Sequence, residues 1–511
     1  MSKKLLKSAA LVSGFTLISR ILGFIRDVVI AYIFGASTST DAFLVAYKIP
    51  NFMRRLFAEG AFSQAFTPIL SEYKTQQDHA EVKHLVAHVA GNLGSILLLV
   101  TVIGIVMASL LVMIFAPGFL QQPEKFDLTV TMLQITFPYL WFIALAAFSG
   151  AILNTYGQFG VPAFTPVLLN LCLIGAALWF APYFEYPIMA LAYGASFAGI
   201  VQLGFQLPFL YRLDLLPKPR FNWHDPGVKR VYRLMIPALF GVSVSQINLL
   251  IDTLMASFLI TGSVSWLYYS DRLMEFPLAM FGIALATVML PDLSKAVARG
   301  DMRNYNNTLD WALRWVFVVA APSMMGLIIL AVPILATLFH HGEFSDNDVM
   351  MTARSLVAYA FGLLGFVLVK VLASGFFSRQ DTRTPVKIAV IAMTTNIFLN
   401  LALIWPLQHA GLALATSLAA LLNAGLLYRG LRKQKVFQPQ PGWLSLSLRI
   451  FIATGCMTLL LWWGSGSISI WLNMAMLERA LYLFGWIIAG IIVYFVSLVG
   501  LGFRLHHLTL K

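Results

Sequence analysis

Long apolar stretches recur along this chain, fourteen in all, each of about 19 to 31 residues and so long enough to cross a bilayer as a helix. Their approximate bounds are 8–34, 42–70, 86–116, 128–153, 163–182, 187–211, 232–260, 266–291, 309–339, 350–375, 385–405, 409–430, 446–464 and 479–503. Composition agrees: 59% of residues are hydrophobic and 11% charged, where a soluble domain carries about 25% charged residues. The mean hydropathy is +0.80. The expected fold is an all-α polytopic membrane protein, and no connection between spans is long enough to hold a soluble domain.

Loop charge predicts orientation. The junctions 35–40, 116–127, 182–187, 261–265 and 340–349 are short or acidic, whereas 212–233, 295–303, 379–387 and 429–435 are basic. Outside the spans, every Lys and Arg except Lys125 and Arg479 falls on the side of both termini. Cytoplasmic loops keep the excess of positive charge, so both termini are expected in the cytoplasm. The net charge of +13 then reports topology. Nucleic-acid binding is not expected, and the basic loops are suited to anionic lipid headgroups. The two cysteines, Cys172 and Cys456, both lie in apolar stretches, which argues against disulfides and a thiol–metal site. The start, Lys3-Lys4-Leu5-Leu6-Lys7, has the charge of a signal peptide. The apolar run that follows is too long, contains arginine and lacks a small-residue cleavage site, so an uncleaved first helix is expected.

The chain also resembles itself at a separation of roughly 220 residues, the mark of an internal repeat. Pro68–Ser71 matches Pro291–Ser294, Gly150 matches Gly375, and Ala192–Ser196 resembles Ala413–Ser417. Leu210-Tyr211-Arg212 recurs as Leu427-Tyr428-Arg429. Six spans separate each element from its copy, and an even number preserves orientation, so the halves are expected to be parallel repeats. The resulting division is a six-helix lobe at 1–215, a second at 216–435, and a pair of extra helices at 436–511 after a polar linker.

An arginine near the middle of a spanning helix costs roughly 2.5 to 3.5 kcal/mol, so several together imply a watery or protein-filled interior suited to an anion. The first span carries Arg20, Arg26 and Asp27; Arg20 and Asp27, seven apart, share a helix face, so Asp27 is expected to offset Arg20. The second carries Asp41, Lys48, Arg54, Arg55 and Glu59. Pro50 removes a backbone hydrogen bond beside these arginines, and Arg55 and Glu59 stand at pairing distance along a helix. In the second half, Asp271 to Pro277 repeats the pattern of charge followed by proline, with Arg272 and Glu275 three apart. Two structural readings stay open beside the anion site. Arg20 and Arg26 are also suited to interhelical ion pairs with Asp27 and Asp41, and Arg54 and Arg55 to the membrane edge of a shorter second span. Arg314, Arg354 and Arg449 read as snorkelling or structural. His340-His341, near Glu343, Asp346 and Asp348, lacks ligand spacing, so no metal site is expected. There is no P-loop, no His-Glu-x-x-His and no nucleophile elbow, so the chain is not expected to be an enzyme.

The runs Ser19–Asp27, Thr40–Phe43, Pro50–Ser63 and Asp271–Pro277 together resemble the MurJ (MviN) lipid II flippases. These belong to the multidrug/oligosaccharidyl-lipid/polysaccharide exporter superfamily. The resemblance covers essentially the whole chain, including Asn154-Thr155-Tyr156, Gln380–Pro385 and Gln438–Trp443. It implies fourteen helices as two six-helix lobes plus a terminal pair that forms a lipid-tail groove. It further implies alternating-access movement of undecaprenyl-pyrophosphate-disaccharide-pentapeptide, lipid II, to the outer face of the bacterial inner membrane for peptidoglycan synthesis. Cavity residues implied by the match are Arg20, Arg26, Asp41, Arg54 and Arg272, with Glu59; Arg55, Asp271 and Glu275 join them as neighbouring charges. No cofactor is implied, and coupling to the membrane potential or a monovalent cation is expected, with lipid II, membrane lipids and other cell-wall synthesis proteins as partners. The rival readings are a flippase for another polyprenyl-linked glycan and a non-transporting scaffold of the cell-wall machinery.

Overall fold

The structure, a computed structural model, describes residues 3–56 and 62–504. Every regular element among them is helical. By packing, the chain divides into two compact units, Met1–Val264 and Ser265–Lys511.

The first unit holds α1 (Lys3–Phe34), α2 (Thr38–Arg54), α3 (Ser63–Gln76), α4 (His79–Val106), α5 (Ala108–Phe115), α6 (Pro123–Thr136), α7 (Pro138–Thr155), α8 (Gly160–Gly175), α9 (Met189–Arg212) and α10 (Pro226–Ser257). Side-chain caps mark where several helices start. Ser37 accepts from the Thr40 N–H, Asp78 from Glu81 and Asp225 from Val228, each satisfying an orphan donor of a first turn. Proline opens α6, α7 and α10, where its missing N–H costs nothing. Lipid tails are as apolar as leucine, so helix association in a membrane relies on close packing and interhelical hydrogen bonds, each of about 0.6 to 2 kcal/mol. Both occur here. Phe62, Phe66 and Phe148 meet with ring centres 5.1 to 5.9 Å apart. Trp141 donates to the Gly94 carbonyl at 2.9 Å, and Gln202 and Gln206 donate to the carbonyls of Thr165 and Ala146 at 3.0 Å.

The second unit holds α11 (Ser263–Pro277, whose first two residues precede the boundary), α12 (Ala284–Ala298), α13 (Met302–Ile329), α14 (Ala331–Phe339), α15 (Asp346–Ala360), α16 (Leu363–Phe377), α17 (Arg383–Lys433), α18 (Trp443–Ser465), α19 (Ile468–Asn473) and α20 (Met476–Gly500). A capping box between Ser345 and Asp348 starts α15, and Asp348 also accepts from the Trp266 indole at 2.8 Å. α18 packs on α20, and the pair rests on α13 and α14. At Gly464 a Cβ would fall 2.0 Å from the Trp486 ring, so only glycine admits that contact.

Ten segments among the described residues are long and apolar enough to cross a membrane. One, α17, covers the two expected spans 385–405 and 409–430, which a reversal at Gln408 (φ 52°) separates. The expected spans 8–34 and 232–260 coincide with α1 and α10. Within the expected span 42–70, α2 runs to Arg54 and passes into a π turn at 55–56, α3 begins at Ser63, and residues 57–61 lie outside the described ones. Packing also groups α10 with the first unit, where it lies against α3, α4 and α5, whereas the repeat starts its second lobe at 216.

Candidate anion site

Burial separates the charges of the first unit into two groups. Arg26 and Asp27 are buried, at 6% and 2% exposure. Arg26 donates through Nε and Nη2 to Asp27 Oδ1 at 3.0 and 2.6 Å, and through Nη1 to Asn170 Oδ1 of α8 at 3.1 Å. Asn170 in turn donates to the Ser19 carbonyl at 3.0 Å, tying α8 to α1. The expectation that Asp27 offsets Arg20 is therefore corrected. The Arg26 guanidinium reaches the adjacent carboxylate, while Arg20 lies on the exposed side of α1.

Asp41 is the second buried anchor. Placed in the first turn of α2, it receives Lys125 Nζ of α6 at 2.8 Å and the Gly262 N–H at 2.8 Å. Lys125 is 2% exposed and its ammonium sits 4.2 Å from the centre of the Phe119 ring, a cation–π contact. Breaking so buried a pair by removing one partner costs about 3 to 5 kcal/mol. On the same helix, Lys48 donates to Thr253 Oγ1 of α10 at 2.5 Å.

Past Pro50 the environment opens. Arg54 donates through Nε to Asn51 Oδ1 at 2.9 Å, and both Arg54 and Arg55 are half-buried. The helix widens into a π turn at residues 55–56. Glu59, and with it the expected Arg55–Glu59 pair, lies outside the described residues.

In the second unit, Arg272 of α11 donates to Glu275 Oε2 at 3.3 Å, as its spacing predicts, and its guanidinium stands 5.3 Å from the centre of the Tyr268 ring. Its side chain is 37% exposed and that of Glu275 51%, while Asp271 is half-buried. Arg314 is structural: it donates to Asp310 at 2.6 Å and to the Pro441 carbonyl at 3.0 Å, while Asp310 accepts from the Trp443 indole at 2.7 Å. This cluster secures the linker to α18. Arg354 stands exposed at the wall of a cavity of about 610 Å³, with Met350, Leu407 and His409.

Lys125 and Asn170 were not among the expected site residues. Lys125 did carry a signal: with Arg479, it is one of two cations expected on the side opposite the basic loops. Both prove to be buried, Arg479 at 3% exposure with its guanidinium on the carbonyls of Ala336 and Met474 at 2.5 and 2.8 Å.

The family model described as lipid II flippase MurJ matches residues 30–482. A probable lipid II flippase MurJ of Vibrio cholerae is 49% identical over 99% of this chain and 98% of its own length. The lipid II flippase MurJ of Burkholderia cenocepacia is 46% identical over 90% of each. Among solved structures, a lipid II flippase MurJ in an inward closed conformation aligns with a TM-score of 0.80 at 29% identity, covering 96% of this chain and 98% of that one. An inward-facing multidrug resistance MATE transporter of the MOP superfamily aligns at 0.65 with 13% identity, which reflects the fold alone. Matched along nearly its whole length by sequence and by structure, this chain belongs to the lipid II flippase MurJ family.

Proposed function

We propose that this protein is a flippase that moves lipid II from the cytoplasmic to the periplasmic leaflet by alternating access, with both termini in the cytoplasm. The observation that carries this reading, beside family membership, is that Arg20, Arg54, Arg55 and Arg272 remain at least partly exposed on helices of the expected membrane spans. A pyrophosphate suits such groups, because the planar guanidinium fork binds two phosphate oxygens at once. Arg26–Asp27 and Asp41–Lys125 then hold helices in place, so the exposed cations project from a fixed frame. Asp271 and Glu275 limit the local excess of positive charge around Arg272. The polyprenyl tail needs no aqueous path, and α18 and α20 offer it an apolar face with Phe451, Trp462, Phe484 and Phe495 exposed. No bond is made or broken; the work comes from the membrane potential or a monovalent cation gradient.

Growth complementation tests the reading. Arg20→Ala, Arg54→Ala and Arg272→Ala should abolish growth with the protein still in the membrane, and lysine should rescue only in part because an ammonium lacks the fork. Full growth of the alanine variants would overturn the anion role. Equal binding of purified protein to lipid II and to an unrelated polyprenyl-pyrophosphate glycan would favour the broader substrate range.

A further inference from the structure

The start of α4 places His84 and His88 four residues apart, on one face of a helix. Against that face lies Asp225, the N-cap of α10. One potential ligand atom from each of the three lies within 4.8 Å of the other two. We propose that His84, His88 and Asp225 form a binding site for a divalent transition-metal ion of the Zn²⁺ type, joining α4 to the start of α10. The proposal is independent of the transport reading.

The hydrogen bonds around these side chains leave the right atoms available. His88 Nδ1 donates to the His84 carbonyl at 2.8 Å, which fixes the tautomer and leaves Nε2 with its lone pair, the arrangement in which metal-binding imidazoles are commonly held. Asp225 Oδ1 accepts from the Val228 N–H at 3.0 Å, while Oδ2 lies 3.6 Å from His84 Nδ1. His88 and Asp225 are 7% exposed and so largely preset, whereas the His84 side chain is 48% exposed and free to adjust. Tetrahedral ligands at about 2.0 to 2.1 Å from zinc lie roughly 3.4 Å apart, so a modest rotation of His84 completes the geometry.

The frame is rigid as well. The Arg220 N–H donates to the Ala87 carbonyl at 3.0 Å, and Asn92 Nδ2 donates to the Asn222 carbonyl at 3.0 Å. The Arg220 backbone lies so close to Gly91 that a Cβ there would sit 2.3 Å from its oxygen. The segment leading to Asp225 is thus clamped along α4, one turn from the histidines. Two imidazoles and one carboxylate select zinc-like ions over Mg²⁺ and Ca²⁺, which prefer oxygen. Three protein ligands leave the fourth position to water.

The test is titration of full-length, chelator-treated protein in detergent with Zn²⁺, followed by calorimetry and by unfolding temperature. The wild type should bind one ion tightly and unfold at a higher temperature with it, and Mg²⁺ should do neither. His84→Ala, His88→Ala and Asp225→Asn should each weaken Zn²⁺ binding by at least about tenfold, since losing a ligand costs more than losing a supporting partner. Asparagine retains the helix cap, and His84 is exposed, so those two variants decide the matter if His88→Ala folds poorly. His341→Ala should bind as the wild type does. Unchanged Zn²⁺ affinity and stoichiometry in His84→Ala and Asp225→Asn, or no tight Zn²⁺ binding by the wild type, would overturn the site.

Discussion

Arg20 and Arg26 lie on one helix six positions apart, yet their surroundings assign them different work. Arg26 is enclosed and bonded to Asp27 and Asn170; Arg20 faces outward. Arg26→Ala should therefore act on stability, because it removes one partner of a buried, hydrogen-bonded ion pair, at about 3 to 5 kcal/mol. Arg20→Ala should leave stability within about 0.5 kcal/mol of the wild type. Unfolding temperature in detergent and abundance in the membrane separate the two, and equal destabilisation by both changes would contradict the assignment. The list of intramembrane charges was legible in the sequence, because charge in an apolar run stands out. Pairing along one helix was too, as between Arg272 and Glu275, but pairing between helices was not. Asn170 and Lys125 reach their partners from helices far along the chain, and helical spacing reports only neighbours on the same helix.

Helix lengths and positions were largely readable from hydropathy, while interruptions were harder to place. Pro50 removes a hydrogen bond in the second span, yet α2 continues through it to Arg54 and on into the π turn at 55–56; at Gln408 a polar residue with φ 52° divides α17. Two predictions concern elements. Glu72 of α3 accepts two hydrogen bonds from Arg230 of α10, at 2.8 and 2.7 Å. Those bonds, with the nearby positive charge, hold its carboxyl below the ordinary 4.5. A carboxyl lowered on folding contributes stability above its unfolded value and loses it as pH falls through the folded one. The difference in unfolding temperature between wild type and Glu72→Gln should hold steady from about pH 5 to 8 and close in stronger acid. A gap that widened on acidification would contradict this. The second prediction concerns the terminal pair. A Cβ at Gly490 would lie 3.1 Å from Leu461, whereas one at Gly485 meets open space. Gly490→Leu should thus destabilise the protein by forcing α18 and α20 apart, at about 1 to 3 kcal/mol. Gly485→Leu should fold normally and, if tails lie against this face, weaken binding of a long-tailed substrate more than a short-tailed one with the same headgroup.

On the scale of the whole molecule, the proposed orientation rests on an uneven distribution of basic residues, and thiol labelling checks it. With Cys172 and Cys456 replaced by alanine, a single cysteine at Glu343 should react with an impermeant maleimide in intact spheroplasts. One at Lys218 should react only after the membrane is opened, and the reverse pattern would invert the assignment. Both positions are exposed, so access is decided by the side of the membrane alone. Paired motifs in the sequence suggest a division at 216, whereas packing divides the chain at 264, because α10 lies against α3, α4 and α5 of the first unit. The burial of Lys125 has one more consequence. In the proposed orientation it is the lone lysine on the face opposite the basic loops, and the folded protein covers it with Asp41 and Phe119. If that orientation holds, an amine-directed reagent that stays outside the cell should leave Lys125 of the folded protein unmodified. A modified Lys125 would mark a molecule whose first unit had come open, making this residue a built-in reporter of folding in the living membrane.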